Sequence, residues 1–156
     1  MYVSDLDTIL QRAYESAVST HSHPEGIKGA QCVAECIFYF RRGEPVAEVI
    51  LSMSDKYGYD VTKSLAEIRP DYRFDETCQG TVPAALRCVL ESLTVEQAIR
   101  NAISLGGDAD TLAAITASMA EAAFPPDYSI MAQALSYLPH EISNIVFQAY
   151  SSPIFG

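Results

Sequence analysis

A run of six residues, GGDADT from Gly106 to Thr111, places two acids and a hydroxyl directly after two glycines. Carboxylate and hydroxyl oxygens are the hard ligands that Mg²⁺ and Mn²⁺ prefer. Acids at positions i and i+2 do not share a face of a regular helix, but both can point to one place from a turn that leads into a helix. The paired glycines permit positive φ angles and close approach of a ligand to the backbone. The run therefore indicates a divalent-cation site at Asp108, Asp110 and Thr111.

The same run also has a purely structural interpretation. Asp108 can act as a plain N-cap residue, and Asp110 can interact with the helix dipole from the first turn. Spacing alone leaves both interpretations open. An EF-hand loop is excluded, because Thr111 and Leu112 stand where that loop needs a further acid and a glycine. The D-x-D-x-T phosphatase motif is also excluded, because that motif follows a buried strand and a helical segment precedes this run.

A second polar segment, THSHPEGIKGAQ, lies near the N-terminus. It places His21 and His23 in a turn before a helix that is predicted to start at Pro24. Gly26 and Gly29 in the first turns of this helix each cost about 1 kcal/mol relative to Ala. They indicate close packing against either another helix or a ligand, and helix N-termini attract anionic groups. A histidine in a turn is commonly a loop or packing residue, so the segment by itself does not assign a ligand.

Helical spacing of apolar residues runs through most of the chain and predicts an all-α fold. Ser4 is predicted to cap the first helix, and Thr94 with Gln97 is predicted to form a capping box. The stretch 69–80 shows no sustained period and is predicted to be one long loop. The predicted helices cover residues 6–17, 24–42, 45–57, 81–93, 95–103, 109–123, 128–137 and 141–150.

The composition is that of one soluble domain of 156 residues. Apolar residues make up 49% and charged residues 19% of the chain, which excludes intrinsic disorder. The net charge of −10 disfavours binding to nucleic acid, because the chain repels phosphate backbones. No apolar run approaches the ~20 residues of a membrane span, and the first ten residues contain acids where a signal peptide has cations. We therefore expect a cytoplasmic protein with no membrane or nucleic-acid partner.

The four cysteines are predicted to be free thiols. Cys32 and Cys36 are separated by three residues, and Cys78 and Cys88 by nine, and neither spacing matches a zinc site. Cysteines in an apolar stretch of a cytosolic chain stay reduced and behave as small buried hydrophobic residues.

Three segments, in this order, resemble successive motifs of the ADP-ribosylglycohydrolase family: THSHPEGIKGAQ, YRFDETCQGTVPAAL and AISLGGDADTLAAITASMAEA. This family includes the dinitrogenase reductase-activating glycohydrolases. The resemblance implies an all-α orthogonal helical bundle with a binuclear Mg²⁺ or Mn²⁺ site. It also implies hydrolysis of the glycosidic bond between ADP-ribose and a modified side chain. By the same resemblance, Asp108 and Asp110 are catalytic residues, these two and Thr111 are metal ligands, and His21 lies near the bound nucleotide.

Other motifs of that family do not occur in the 156 residues. They are a G-D-x-x-G-type segment, a T-D-D-T metal motif, a candidate acid–base glutamate and an N-G-x-x-M-R segment. The resemblance therefore covers a downstream half, one truncated domain over residues 1–156, with half of the metal ligands. We expect a weak or incomplete Mg²⁺ or Mn²⁺ site and little hydrolase activity from this chain alone.

Three functions fit these observations. The first is an enzyme that a second polypeptide completes. The second is a non-catalytic protein that binds ADP-ribose or a nucleotide. The third is an interaction module that binds itself or another chain. Without the upstream half of the family's fold, the helices that pack against it are expected to expose an apolar face. A two-fold contact is the commonest way for such a face to be covered by a second copy of itself. We therefore expect either a homodimer or a complex with a chain that supplies the other half.

Overall fold

A computed structural model describes residues 5–151 of the chain, except for the side chain of residue 150. Over these residues the chain forms helices and no strands, which confirms the all-α prediction. Within residues 5–151, none of the helices combines the length and apolar character that crossing a membrane requires. The helices are α1 (Leu6–Val18), α2 (Pro24–Arg41), α3 (Val46–Tyr57), α4 (Leu65–Ile68), α5 (Cys78–Leu90), α6 (Val95–Leu105), α7 (Ala109–Ala123), α8 (Tyr128–Ser136) and α9 (His140–Tyr150).

Helix α5 starts earlier than its sequence pattern predicts. Thr77 accepts a hydrogen bond from the N–H of Gly80 at 3.2 Å and caps the helix, so α5 begins at Cys78 rather than at residue 81. Pro83 consequently lies inside α5, where its missing N–H leaves the carbonyl of Gln79 without a helical donor. The predicted loop is therefore shorter, over residues 69–77.

The short helix α4 was not predicted. Ser64 and Glu67 form a capping box, in which the side chain of each residue bonds to the backbone N–H of the other. The S-x-x-E signal was present in the sequence, but a single turn is too short to show apolar periodicity. The predicted cap at Ser4 lies outside the described residues.

The chain divides into two compact units. The larger unit, Leu6–Pro126, contains α1 to α7. Helices α2, α5 and α7 pack against one another, α1 and α3 pack on α2, and α6 packs on α5 and α7. The smaller unit includes α8 and α9. The expectation of a single domain over 1–156 stays a prediction. The side chains at the centre of the larger unit include Cys32, Cys36, Ile50, Leu86, Leu112 and Met119.

All four cysteines are free thiols, as predicted. Cys32, Cys36 and Cys88 are buried, and Cys78 is half-buried. Burial raises the pKa of the Cys88 thiol to about 12, so this thiol stays protonated at neutral pH. The buried cysteines therefore contribute to packing.

Candidate functional site

Two glycines form the turn that joins α6 to α7. Gly106 has φ 74° and ψ −146°, and Gly107 has φ 65°. L-residues with a side chain rarely adopt either conformation. Asp108 follows as the N-cap residue of α7, and its carbonyl accepts a hydrogen bond from the N–H of Leu112 at 3.0 Å. This glycine turn, residues 106–107, therefore sets the position of the first turn of α7.

Asp108 and Asp110 flank Ala109 at the start of α7, and the two side chains influence each other electrostatically. The interaction with the Asp108 side chain, followed by hydrogen bonds from the backbone N–H groups of Thr111 and Asp110, holds the pKa of Asp110 below its usual range. The side chain of Asp108 makes no capping hydrogen bond, so it does not serve as the N-cap group that the structural interpretation requires. Asp110 and Thr111 are exposed, and Asp108 is half-buried. Both acids thus lie at the start of α7.

These residues offer two carboxylates and one hydroxyl to a cation. Across the described part of the chain, no group of three or more His, Cys, Asp or Glu side chains is placed to hold a metal ion. Mg²⁺ is commonly held by one or two carboxylates while water fills its other positions. Asp108, Asp110 and Thr111 therefore carry oxygen donors of the type that one such ion takes, and these three donors are too few for two ions.

A loop of the larger unit, residues 69–77, packs against the glycine turn. A Cβ atom on Gly107 would lie 2.9 Å from the carbonyl oxygen of Arg73 and 3.1 Å from Cε1 of Tyr72. The loop is held in turn by Asp75, whose carboxylate accepts a hydrogen bond from the N–H of Thr77 at 2.7 Å. Hydrogen bonds from the side chain and backbone of Thr77 lower the pKa of Asp75. The absence of a side chain at residue 107 thus permits this contact.

A cleft of about 390 Å³ lies beside the same loop. Asp108, Asp110 and Thr111 do not line it, although the cleft shares Tyr72 and Arg73 with the surface that contacts Gly107. Arg73 is the one cation among its lining residues, against three acids, which disfavours a phosphate group. The cleft is therefore a neighbour of the candidate cation site rather than part of it. Its polar and aromatic lining residues are Asp60, Asp71, Tyr72, Arg73, Phe74 and Asp75.

His21 lies in the exposed turn before α2. Its Nδ1 atom is 2.8 Å from the hydroxyl oxygen of Thr20. The backbone N–H of His21 donates to the carbonyl of Ala17 at 2.7 Å. Among the described residues, no hydrogen bond or ion pair joins His21 to Asp108 or Asp110. The structure therefore gives the His21 side chain a partner in its own turn, at Thr20, rather than at either acid.

Both glycines of α2 pack closely against protein atoms. A Cβ atom on Gly26 would lie 3.1 Å from the carbonyl oxygen of His21. A Cβ atom on Gly29 would lie 3.1 Å from both Cβ and Sγ of Cys78. The packing interpretation therefore accounts for both glycines. His23 caps α2, since its Nδ1 accepts the N–H of Glu25 at 3.2 Å.

Comparison with known families decides the assignment. The family model described as ADP-ribosylglycohydrolase matches residues 1–124, which is more than half of the chain. The chain belongs to the ADP-ribosylglycohydrolase family. The match includes His21, the glycine turn and the two acids of α7, whereas α8 and α9 follow it. No curated protein and no solved structure matches this ADP-ribosylglycohydrolase family member at a significant level.

This ADP-ribosylglycohydrolase family member also contains a buried charged group that the sequence did not predict. Glu35 of α2 is only 1% exposed. Lys56 donates to both of its carboxylate oxygens at 2.7 Å, and the hydroxyl of Tyr57 donates to one of them at 2.6 Å. Burial, with Glu35 as the next cause, raises the pKa of Tyr57 above its usual range. The position of Glu35 between Ala34 and Cys36, in an otherwise apolar part of the helix, was the one sequence feature that pointed to a buried acid. These contacts fasten α3 to α2.

Proposed function

We propose that this chain is an ADP-ribosylglycohydrolase-like protein that binds a divalent cation, Mg²⁺ or Mn²⁺, at Asp108, Asp110 and Thr111. The proposed reaction is hydrolysis of the glycosidic bond that joins ADP-ribose to a modified protein side chain. The observation that carries the proposal is the position of Asp108, Asp110 and Thr111 at the start of α7, directly after the glycine turn. Family membership supports a hydrolase of this class.

The residues of this chain have distinct parts in the proposed chemistry. When bound, a divalent cation supplies an activated water and stabilises negative charge at the reacting bond. Asp108 and Asp110 offer two carboxylates to it, and Thr111 adds a hydroxyl. The lowered pKa of Asp110 favours the ionised carboxylate, which is the form that binds a cation. His21 is the proposed contact for the nucleotide portion of the substrate.

The proposed partner is a polypeptide that carries the remaining metal ligands. The 156 residues contain no T-D-D-T motif, and Asp108, Asp110 and Thr111 suffice for part of one coordination shell. A second chain with that motif would supply the ligands of a two-ion site. An ADP-ribosylated protein is the proposed substrate of the completed enzyme.

A second candidate function is non-catalytic binding of ADP-ribose or a nucleotide. The small number of ligands at the start of α7 favours it, because one partial cation site can orient a diphosphate without activating water for attack. The two candidates share the same residues and differ in whether a completing partner restores hydrolysis.

Addition of Mn²⁺ to the purified chain tests the cation site. We expect millimolar affinity, since affinity follows the number of charged ligands and the helix dipole already stabilises the free carboxylates. At ten times the dissociation constant, binding stabilises the fold by about 1.4 kcal/mol, or about 3–6 °C in melting temperature for a chain of this size. A thermal-shift series in Mn²⁺ measures this change in melting temperature.

Two matched variants distinguish a specific cation site from nonspecific binding of Mn²⁺ to acidic side chains. Asp110→Asn should abolish the Mn²⁺-dependent shift, because it removes one of two carboxylates. Glu48→Gln should keep the shift, because Glu48 is an exposed acid in the first turn of α3 with no carboxylate two residues before or after it in the chain. An unchanged melting temperature up to tens of millimolar Mn²⁺, or equal shifts in both variants, would remove the cation site.

A further inference from the structure

The cleft beside the 69–77 loop lies entirely within the larger unit and has an unbalanced charge. Its lining residues include three acids, Asp60, Asp71 and Asp75, and the single cation Arg73. Nη1 of Arg73 donates to two carbonyl oxygens of its own loop, at 3.0 and 2.8 Å. Among residues 5–151, no salt bridge joins a Lys or Arg side chain to any of the three acids. The cleft therefore has a net negative charge that the described chain does not neutralise.

The three carboxylates differ in how far the fold already uses them. Oδ1 of Asp60 accepts from the N–H and the hydroxyl of Thr62, at 2.8 and 2.6 Å. Oδ1 of Asp75 accepts from the N–H of Thr77 at 2.7 Å, and such bonds lower the pKa of both acids. The carboxylate of Asp71 is exposed and, within the described ranges, makes no hydrogen bond or ion pair. Asp71 is thus the acid that is free to bind a ligand.

Two aromatic side chains line the same cleft. Phe74 is 62% exposed although it is large and apolar, and Tyr72 is half-buried with its Cε1 atom against Gly107. An aromatic ring attracts a cation to its face, and a planar guanidinium can stack on the ring while it donates to carboxylates. The volume of about 390 Å³ lies in the range of small-ligand sites. Aromatic rings and carboxylates in one cleft therefore match an arginine side chain better than a neutral or anionic group.

We propose that this cleft binds an unmodified arginine side chain of a partner polypeptide. Asp71 accepts hydrogen bonds from the guanidinium, the other two acids add negative charge, and Phe74 stacks on the guanidinium plane. A lysine matches the charge but has no flat face to stack. An ADP-ribosylated residue is a poor occupant, because its diphosphate would meet three carboxylates. The binding goes beyond the proposed hydrolase function, since none of the three candidate cation ligands lines the cleft.

Calorimetric titration of a capped tripeptide, acetyl-Gly-Arg-Gly-amide, into the purified chain at low ionic strength tests the cleft. We expect saturable binding, and binding about threefold or more weaker for the peptide with Lys in place of Arg, because an ammonium cannot make the bidentate contact. Asp71→Asn should weaken binding of the arginine peptide about tenfold, because it removes a charge-assisted hydrogen bond. Asp55→Asn should leave the affinity unchanged, because Asp55 is an exposed acid of α3 that does not line the cleft.

A second pair of variants tests the aromatic contact. Phe74→Ala should weaken binding of the arginine peptide about threefold or more, through loss of the cation–π interaction. Leu51→Ala should not weaken it, because Leu51 is a 57% exposed side chain of α3 outside the cleft. Both replaced side chains are exposed, so urea denaturation should show nearly unchanged stability in both variants.

Three results would overturn the proposal. The first is no heat of binding with the arginine peptide. The second is an equal loss of affinity in Asp71→Asn and Asp55→Asn, which would mean attraction to the general negative charge of the chain. The third is spermidine binding as tightly as the peptide with the same dependence on Asp71, which would assign the cleft to a polyamine. Asp110→Asn should bind the peptide as tightly as the wild type, so failure of this cleft and failure of the proposed cation site give different results.

Discussion

The purified 156-residue chain is expected to release ADP-ribose from ADP-ribosylated arginine or serine at no more than a trace rate. Hydrolysis requires an activated water held at the glycosidic carbon, and precise positioning of reactants is worth about 10⁵–10⁸ in effective molarity. Asp108, Asp110 and Thr111 supply part of one coordination shell, so this positioning is incomplete. Addition of a polypeptide that carries a T-D-D-T motif should raise the rate by several powers of ten. Quantifying released ADP-ribose by chromatography measures both rates.

Asp108→Ala is the control for this assay. It should abolish any trace activity of the chain and prevent activation by the second polypeptide, whereas Glu48→Gln should leave both unchanged. A turnover of about 1–10³ s⁻¹ from the chain alone, which is the ordinary range for enzymes, would contradict the proposed need for further metal ligands.

Gly107→Ala is expected to destabilise the larger unit by about 2–5 kcal/mol. A non-glycine residue in the left-handed region costs about 1–2 kcal/mol, and forcing a methyl group into a packed contact costs about 1–3 kcal/mol more. The second cost arises because the new Cβ would lie 2.9 Å from the carbonyl oxygen of Arg73, a backbone atom that cannot rotate away. Urea denaturation of the variant and the wild type gives the difference in the free energy of unfolding.

Gly58→Ala separates the two costs. Gly58 has φ 68°, almost the same as the 65° of Gly107, but nothing lies within 4 Å of the position of its Cβ. We therefore expect Gly58→Ala to cost only about 1–2 kcal/mol. Equal destabilisation by the two variants would mean that the 69–77 loop does not press against the glycine turn. Only Gly107→Ala should also weaken Mn²⁺ binding, because only Gly107 adjoins Asp108.

Local signals in the sequence were sufficient to predict the bounds of α7 and the turn before it. The apolar spacing from Ala109 to Ala123, the preceding glycines and the following prolines all act within a few residues of one another. The proximity of Asp108 and Asp110 is equally local. Their spacing of two residues places both acids at the start of α7 without help from distant parts of the chain.

Contacts between distant segments could not be predicted in this way. Lys56 binds Glu35, which lies 21 residues earlier in the sequence. The apolar periodicity of a helix does not predict which charged residues of two different helices will pair. The contact of the 69–77 loop with Gly107 also joins segments more than thirty residues apart, so the glycine could be explained only by its neighbours in space. The start of α5 was missed for a different reason, since its cap at Thr77 lies in a polar stretch that resembles a loop.

Isothermal titration of ADP-ribose into the chain, with and without Mn²⁺, tests the central claim most directly. That claim is that Asp108, Asp110 and Thr111 form a cation site that takes part in ADP-ribose recognition. We expect ADP-ribose to bind more tightly when Mn²⁺ is present, Asp110→Asn to lose this gain, and Glu48→Gln to retain it. Absence of heat in both buffers, or equal affinity with and without Mn²⁺ in all three proteins, would contradict the claim.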